Sequence, residues 1–341
     1  MERVSEALLT FLVNAAGQVL AVTAAAAFGS WLMRRAPARY RHVLWLIALA
    51  LCLVLPLYTV YPEAAAPALA PALGRRLLIP MWFAGPLATL VGLTVLWRGV
   101  RCARAWFATR RVRRAARPAE LAPQAATAVD RCRHAFQLGS VPILAAEELS
   151  GPVTCGTRKP VIVAPPELLD REPETVVAAM IGHEMAHIRR RDYGINLVCE
   201  LLLIPLAWHP AALYVKRRID ETREVACDEM VASLVVEAPV YARSLVRVAE
   251  LAAARLAPGY SLGVTDGGSL KDRVHRLVSG HVLLASRAAR LRLAVGLAAL
   301  VAVAAGASLS AVQPALDQPP PPPVALRPPP PPPPPPPPAR R

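Results

Sequence analysis

Residues 181–192 read IGHEMAHIRRRD. His183 and His187 stand four apart, so on a helix both imidazoles leave one face about a turn apart and can reach a single ion. Glu184, one residue on, is displaced around the helix, where it can sit beside a water on that ion without taking a ligand position. That geometry requires a helix here, and Pro173 and Glu174 supply its start. The alternative is a helix that only happens to contain two histidines. The motif alone does not decide between them; a third ligand would.

A candidate lies in residues 217–232, RRIDETREVACDEMVA, inside a second predicted helix from about Ala211 to Leu234. Glu224 can close a His/His/Glu set, and Asp228, one turn on, can accept the free N–H of a ligating imidazole. The same acids and arginines could instead form i,i+4 ion pairs on a solvated face. His209, in AWHPA at 207–211, stands at a probable helix break, where capping or packing is the expected role.

Composition places this pair of helices beside a membrane. Of the 341 residues, 55% are hydrophobic but only 5% aromatic, so the apolar content is mostly Ala, Leu and Val in long uncharged runs. Four such runs are predicted to span: 7–32, 43–61, 77–97 and 293–312. The first is longer than a signal-peptide core and lacks a small-residue cleavage site. Asn14 and Gln18 within it are expected to face neighbouring helices.

The net charge of +15 follows topology. Arg34, Arg35, Arg39 and Arg41 crowd the first loop with no acid, eight arginines from Arg98 to Arg117 follow the third span, and Arg287, Arg290 and Arg292 lead into the fourth. The positive-inside rule then puts the first loop and residues 98–292 in the cytoplasm and both termini outside, the topology of a multi-pass membrane protein. A nucleic-acid partner is not expected, because the one dense basic run in the large loop, 110–118, adjoins a span where anionic lipid is the nearer partner. Six cysteines form no C-x-x-C pair and are expected to be reduced.

Within residues 98–292, the stretch 141–166 (VPILAAEELSGPVTCGTRKPVIVAPP) has three short β-prone runs, expected to form a meander or hairpin sheet ahead of the helices. Strands followed by helices give an α+β domain. Residues 195–215 are apolar enough to suggest a fifth span. A single crossing, however, would put His187 and Glu224 on opposite sides of the bilayer, so the stretch must re-enter, graze or pack. Residues 313–341 form a Pro-rich tail, expected to be extended and coreless, a spacer or a docking segment.

GHEMAHIRRRDYGIN (182–196), WHP (208–210) and REVACDEMV (223–231), preceded by SGPVTCGTRKPVIVAPPELL (150–169), resemble the BlaR/MecR-type antirepressor zinc metallopeptidases of bacterial membranes. The resemblance covers about residues 1–312. It implies a polytopic α-helical membrane protein with a cytoplasmic zincin-like metallopeptidase domain between the third and fourth of four spans. It also implies zinc (Zn2+) held by His183, His187 and Glu224, Glu184 as general base, and Asp228 as the supporting carboxylate. The implied partners are a protein substrate, a transcriptional repressor above all, and membrane lipid, with a homo-oligomer left open. The penicillin-binding sensor domain that the best-known members carry after the fourth helix has no counterpart in 313–341, so no β-lactam-sensing module is expected there. Two rivals remain: a metal-stabilised transducer without turnover, and a housekeeping membrane protease like the CAAX or quality-control zinc peptidases. A substrate is expected to lie extended against one of the strands in 152–164.

Overall fold

A computed structural model describes residues 2–60, 76–255, 267–279 and 286–317. It is mostly helical, with one two-stranded pair and one four-stranded sheet among the described residues. Three helices are long and apolar enough to cross a membrane among the described residues: α1 (Glu2–Leu32), α2 (Ala38–Val60) and, late in the chain, α11 (Arg287–Leu309). Leu44, Trp45, Ala48 and Leu49 of α2 pack inward with Val19, Val22 and Ala26 of α1 and Leu300 of α11, while Leu20, Phe28, Trp31, Val54 and Val301 face outward. Small residues bring the helices together: a Cβ placed on Gly29 would lie 3.4 Å from the Gly296 Cα and 3.0 Å from Leu44 Cδ2. Asn14 and Gln18 face α11 as expected. The Asn14 amide exchanges two 2.9 Å hydrogen bonds with the Val312 backbone, and Gln18 donates to the Ala307 carbonyl at 3.3 Å.

The predicted span 77–97 is not among these three helices. Its first residues form a strand, β1 (Arg76–Pro80), paired in parallel with β6 (Gln313–Asp317), and α3 (Met81–Ala115) begins after Pro80. α3 then runs without a break past Trp97 through the arginine-rich stretch, because arginine is a good helix former and nothing there stops the helix. β6 also takes five residues that the sequence assigned to the tail; residues 318–341 lie outside the described residues.

The second body holds the sheet. Its order is β2-β3-β5-β4, from β2 (Arg117–Pro118), β3 (Ile143–Ala145), β4 (Val153–Cys155) and β5 (Val161–Ala164). β4 and β5 form an antiparallel hairpin, one of the two forms expected, while β3 and β5 are parallel, so the whole is a mixed sheet and not a meander. The 145–153 connection leads the chain past the central position, which β5 then fills with four buried residues. β4 is left as an edge, beside the helix that carries the quoted motif.

That helix is α6 (Glu174–Arg190), capped by Pro173. Met180, Ile181, Met185 and Ala186 bury one face in a core shared with α4 (Pro123–Ala135), α5 (Pro166–Asp170), α8 (Pro210–Leu234) and α9 (Ala238–Arg255). α10 (Gly267–Val278) docks on the same core through Leu277.

Residues 195–215 do not make one straight crossing. α7 (Asp192–Leu203) ends in a 3-10 turn at Ile204–Leu206, the chain reverses, and α8 starts at Pro210, where proline's missing N–H costs nothing. His209 caps α8, its Nδ1 accepting from the Ala211 N–H at 3.2 Å, so the capping role expected from sequence is the observed one. Val198, Leu201, Leu213 and Tyr214 remain exposed on this hairpin.

Candidate metal centre

His183 and His187 leave α6 on the face that also carries Met180, opposite Met185, and α8 crosses that face with Glu224. His183 Nε2 lies 3.2 Å from Glu224 Oε2 and 3.2 Å from His187 Nε2, and His187 Nε2 lies 3.8 Å from Glu224 Oε1. Three ligand atoms thus converge within 4.8 Å from residues up to 41 positions apart.

Each imidazole is oriented from behind. His183 Nδ1 is 3.0 Å from the Tyr241 hydroxyl and 3.3 Å from Asp228 Oδ1, and Tyr241 donates to that same oxygen at 2.7 Å. Arg273 of α10 clamps Asp228 with two 2.7 Å bonds and brings its Nη1 to 3.8 Å from Glu224. His187 Nδ1 is 2.8 Å from Asp192 Oδ2. That contact depends on Arg191, the residue shared by the end of α6 and the start of α7. It sits at φ 60°, a left-handed conformation unusual for a side-chain-bearing residue, and the reversal folds Asp192 back onto the preceding turn.

The electrostatics follow. Burial pulls His183 down, but its bonds to Asp228 and Glu224 outweigh it and raise the imidazole to about 9. Burial acts to raise Glu224 and Asp228, yet the His183 bond and neighbouring charges hold Glu224 well below the carboxylate range, and Arg273 and His183 hold Asp228 below it. Without an ion, the cluster is an imidazolium between carboxylates.

Glu184 is buried beside the pair and does not join it. Thr154 of the edge strand β4 donates to Glu184 Oε2 at 2.7 Å and to its backbone carbonyl at 3.2 Å, tying strand to helix. His183, Glu184 and Glu224 open on a cleft of about 520 Å3, walled by Val153, Met180, Leu245 and Val248.

The residues fit a zinc ion. Both Nδ1 atoms face acceptors, which leaves both Nε2 lone pairs for one point. Donor separations of 3.2 to 3.8 Å match those of ligands sharing a tetrahedral ion, about 3.3 Å for bonds near 2.0 Å. A second group, His187, Asp192 and Cys227, is equally compact. It uses the His187 nitrogen already committed to Asp192, and burial pushes the Cys227 thiol well up, so its Sγ sits 3.4 Å from Asp192 as a neutral donor. All six cysteines are free, as expected.

All five residues singled out in the sequence therefore meet in one place. Four partners were missed: Asp192, Thr154, Tyr241 and Arg273. Asp192 closes the quoted stretch and offered a signal; the others come from distant elements and offered none.

Two histidines and a carboxylate from a second helix, with a buried glutamate at their side in a cleft, make up a site that could hold a metal ion. The chain belongs to the BlaR1 peptidase M56 family, whose profile matches residues 75–277. No curated protein matches it in sequence. Family and helices together make it a membrane-associated peptidase.

Proposed function

We propose that the chain is a zinc metalloendopeptidase of the bacterial inner membrane. In this reading its site faces the cytoplasm and cuts a protein substrate, a transcriptional repressor by family resemblance, in response to an envelope signal. The observation that carries this reading is the convergence of His183, His187 and Glu224 with Glu184 beside them at the head of an apolar cleft.

His183, His187 and Glu224 would hold the zinc ion, which when bound would supply Lewis-acid polarisation of the scissile carbonyl and lower the pKa of the attacking water. Glu184 takes the proton from that water and returns it to the leaving amine, with Thr154 fixing its carboxylate on the cleft side. Asp192 on one side and Asp228 with Tyr241 on the other hold the imidazoles in the Nδ1–H form. The edge of β4 offers backbone to an extended peptide, and the apolar walls keep bulk water out.

Glu184→Gln tests the reading. The variant should keep zinc, lose cleavage and accumulate or co-purify with the uncut substrate. A variant that still signals normally would favour the transducer reading, which has its own support in the contacts between α2 and α8: Glu229 Oε2 accepts from the Ala38 N–H at 2.9 Å, and Trp45 meets Tyr214 edge-on at 5.8 Å. Many trapped membrane proteins rather than one repressor would favour a housekeeping protease.

A further inference from the structure

A second cavity, of about 550 Å3, lies between α6, the β4–β5 turn, α7 and α2. It meets the metal centre at Thr154 and His187, whereas the cleft described above meets it at Val153 and His183. The wall changes character along α7. Arg191 lines it at the helix start, and Ile195, Val198 and Leu202 continue it over about 16 Å of helix rise. Leu46 and Ala50, one turn apart on the membrane-length helix α2, add to the apolar part. Val198 is itself exposed, so this part is open to whatever surrounds α2.

The other part is cationic. The β4–β5 turn packs at the start of α7, where a Cβ on Gly194 would lie 3.7 Å from Thr157 Cγ2. Arg113 of α3 lies against the same turn: a Cβ on Gly156 would stand 2.9 Å from its Nη1. Arg158 and Lys159 follow in that turn and are exposed, as are Arg113 and Arg191. None of the described residues that line the cavity is acidic. An apolar slot beside a membrane-length helix suits hydrocarbon, and a rim of guanidinium groups suits phosphate; here the two stand in the order of a phospholipid's own parts.

We propose that this cavity seats one acyl chain of an anionic phospholipid, with the phosphate at Arg113 and Arg191. The site goes beyond the peptidase reading, since neither the chain nor the phosphate needs a metal. A lipid seated here covers His187 and Thr154 from the cavity side, so the Val153 cleft is left as the way in for a peptide.

The test is a titration of the delipidated full-length chain in detergent with dioleoyl phosphatidylglycerol and with dioleoyl phosphatidylcholine, read by native mass spectrometry. The anionic lipid should bind one site about fivefold more tightly than the zwitterionic one. Ala50→Phe, which takes the space of about two methylenes, should weaken both about tenfold. Val198→Asn, an exposed change that spares the fold, should weaken both in the same direction. Arg113→Gln should erase the preference for phosphatidylglycerol and leave phosphatidylcholine unchanged. Thermal midpoints without lipid should match wild type. Equal binding of the two lipids, or full displacement of phosphatidylglycerol by inorganic phosphate, overturns the assignment. So does an Ala50→Phe chain that binds both lipids normally but cleaves a different set of peptides, which would make the cavity a substrate subsite. Loss of peptide cleavage with lipid binding intact would sink the peptidase reading alone.

Discussion

The bundle of α1, α2 and α11 and the body around α6 and α8 use the same aliphatic residues in opposite ways. In the bundle, Leu20, Phe28, Trp31 and Val301 point out and small residues such as Gly29 and Gly296 sit at the contact; around α6, Ile181, Met185 and Leu168 point in. One region is built for a solvent that is itself apolar, where van der Waals fit decides, and the other for water, where burial decides. The polar residues invert too. In the bundle Asn14 and Gln18 bond only to backbone, and Gln18 Oε1 is left without a protein partner, whereas His183, Asp228, Tyr241 and Arg273 form one continuous buried network. In this chain the paired charges of the candidate site lie in the second environment, where each buried charge has a partner to offset its desolvation.

The sharpest way to separate the regions is chemical. Glu184→Gln should lower turnover by about 10²- to 10⁴-fold while leaving bound zinc and helical content unchanged, read by peptide cleavage and metal analysis. Asp192→Asn comes next. It leaves the ligand set whole but weakens the grip on His187, so zinc affinity should fall about 10- to 100-fold.

Packing draws the comparison in energy. Met185→Ala removes a fully buried side chain and should cost about 2–5 kcal/mol in detergent unfolding, whereas Leu20→Ala on the outward face of α1 should cost less than about 0.5 kcal/mol. Equal costs would mean that α1 is packed against protein all round.

The smallest effect lies at the seam. Burial raises Glu229 to about 7, a rise its Ala38 N–H bond and the nearby Arg41 and Arg276 oppose and the Asp228 charge reinforces. The folded chain therefore keeps a proton that the unfolded chain loses near 4.5, so this residue's contribution to stability falls as pH rises from 4.5 to 7 and is flat above. Glu229→Gln should remove that slope from a plot of thermal midpoint against pH.

Much of the centre could be read in the sequence, because its ligands lie one helical turn apart on α6 and Asp228 one turn beyond Glu224 on α8, and helical periodicity is local information. The same logic placed the 195–215 reversal, since a shared ion forbids a crossing. Thr154, Tyr241 and Arg273 were hidden because contacts between elements far apart in the chain leave no periodic trace. The β4–β5 hairpin was legible, but the parallel pairing was hidden for a related reason: β3 and β5 pair although β4 separates them in sequence, and spacing alone favours neighbours. The end of the helix after the third apolar run was hidden too, since helix propensity carries α3 well past Trp97.

Arg191 leaves no slack in the sequence. Since one left-handed residue both closes α6 and opens α7, Asp192 has a single rotational setting relative to His187. Adding or deleting one amino acid between Ile188 and Asp192 would swing that carboxylate by about 100° around the axis, far outside reach of the ring. Chain length here acts as a gauge: Arg190 itself bonds Asp192 at 3.1 Å, while the side chain at 189 can vary in kind, but the number of residues cannot.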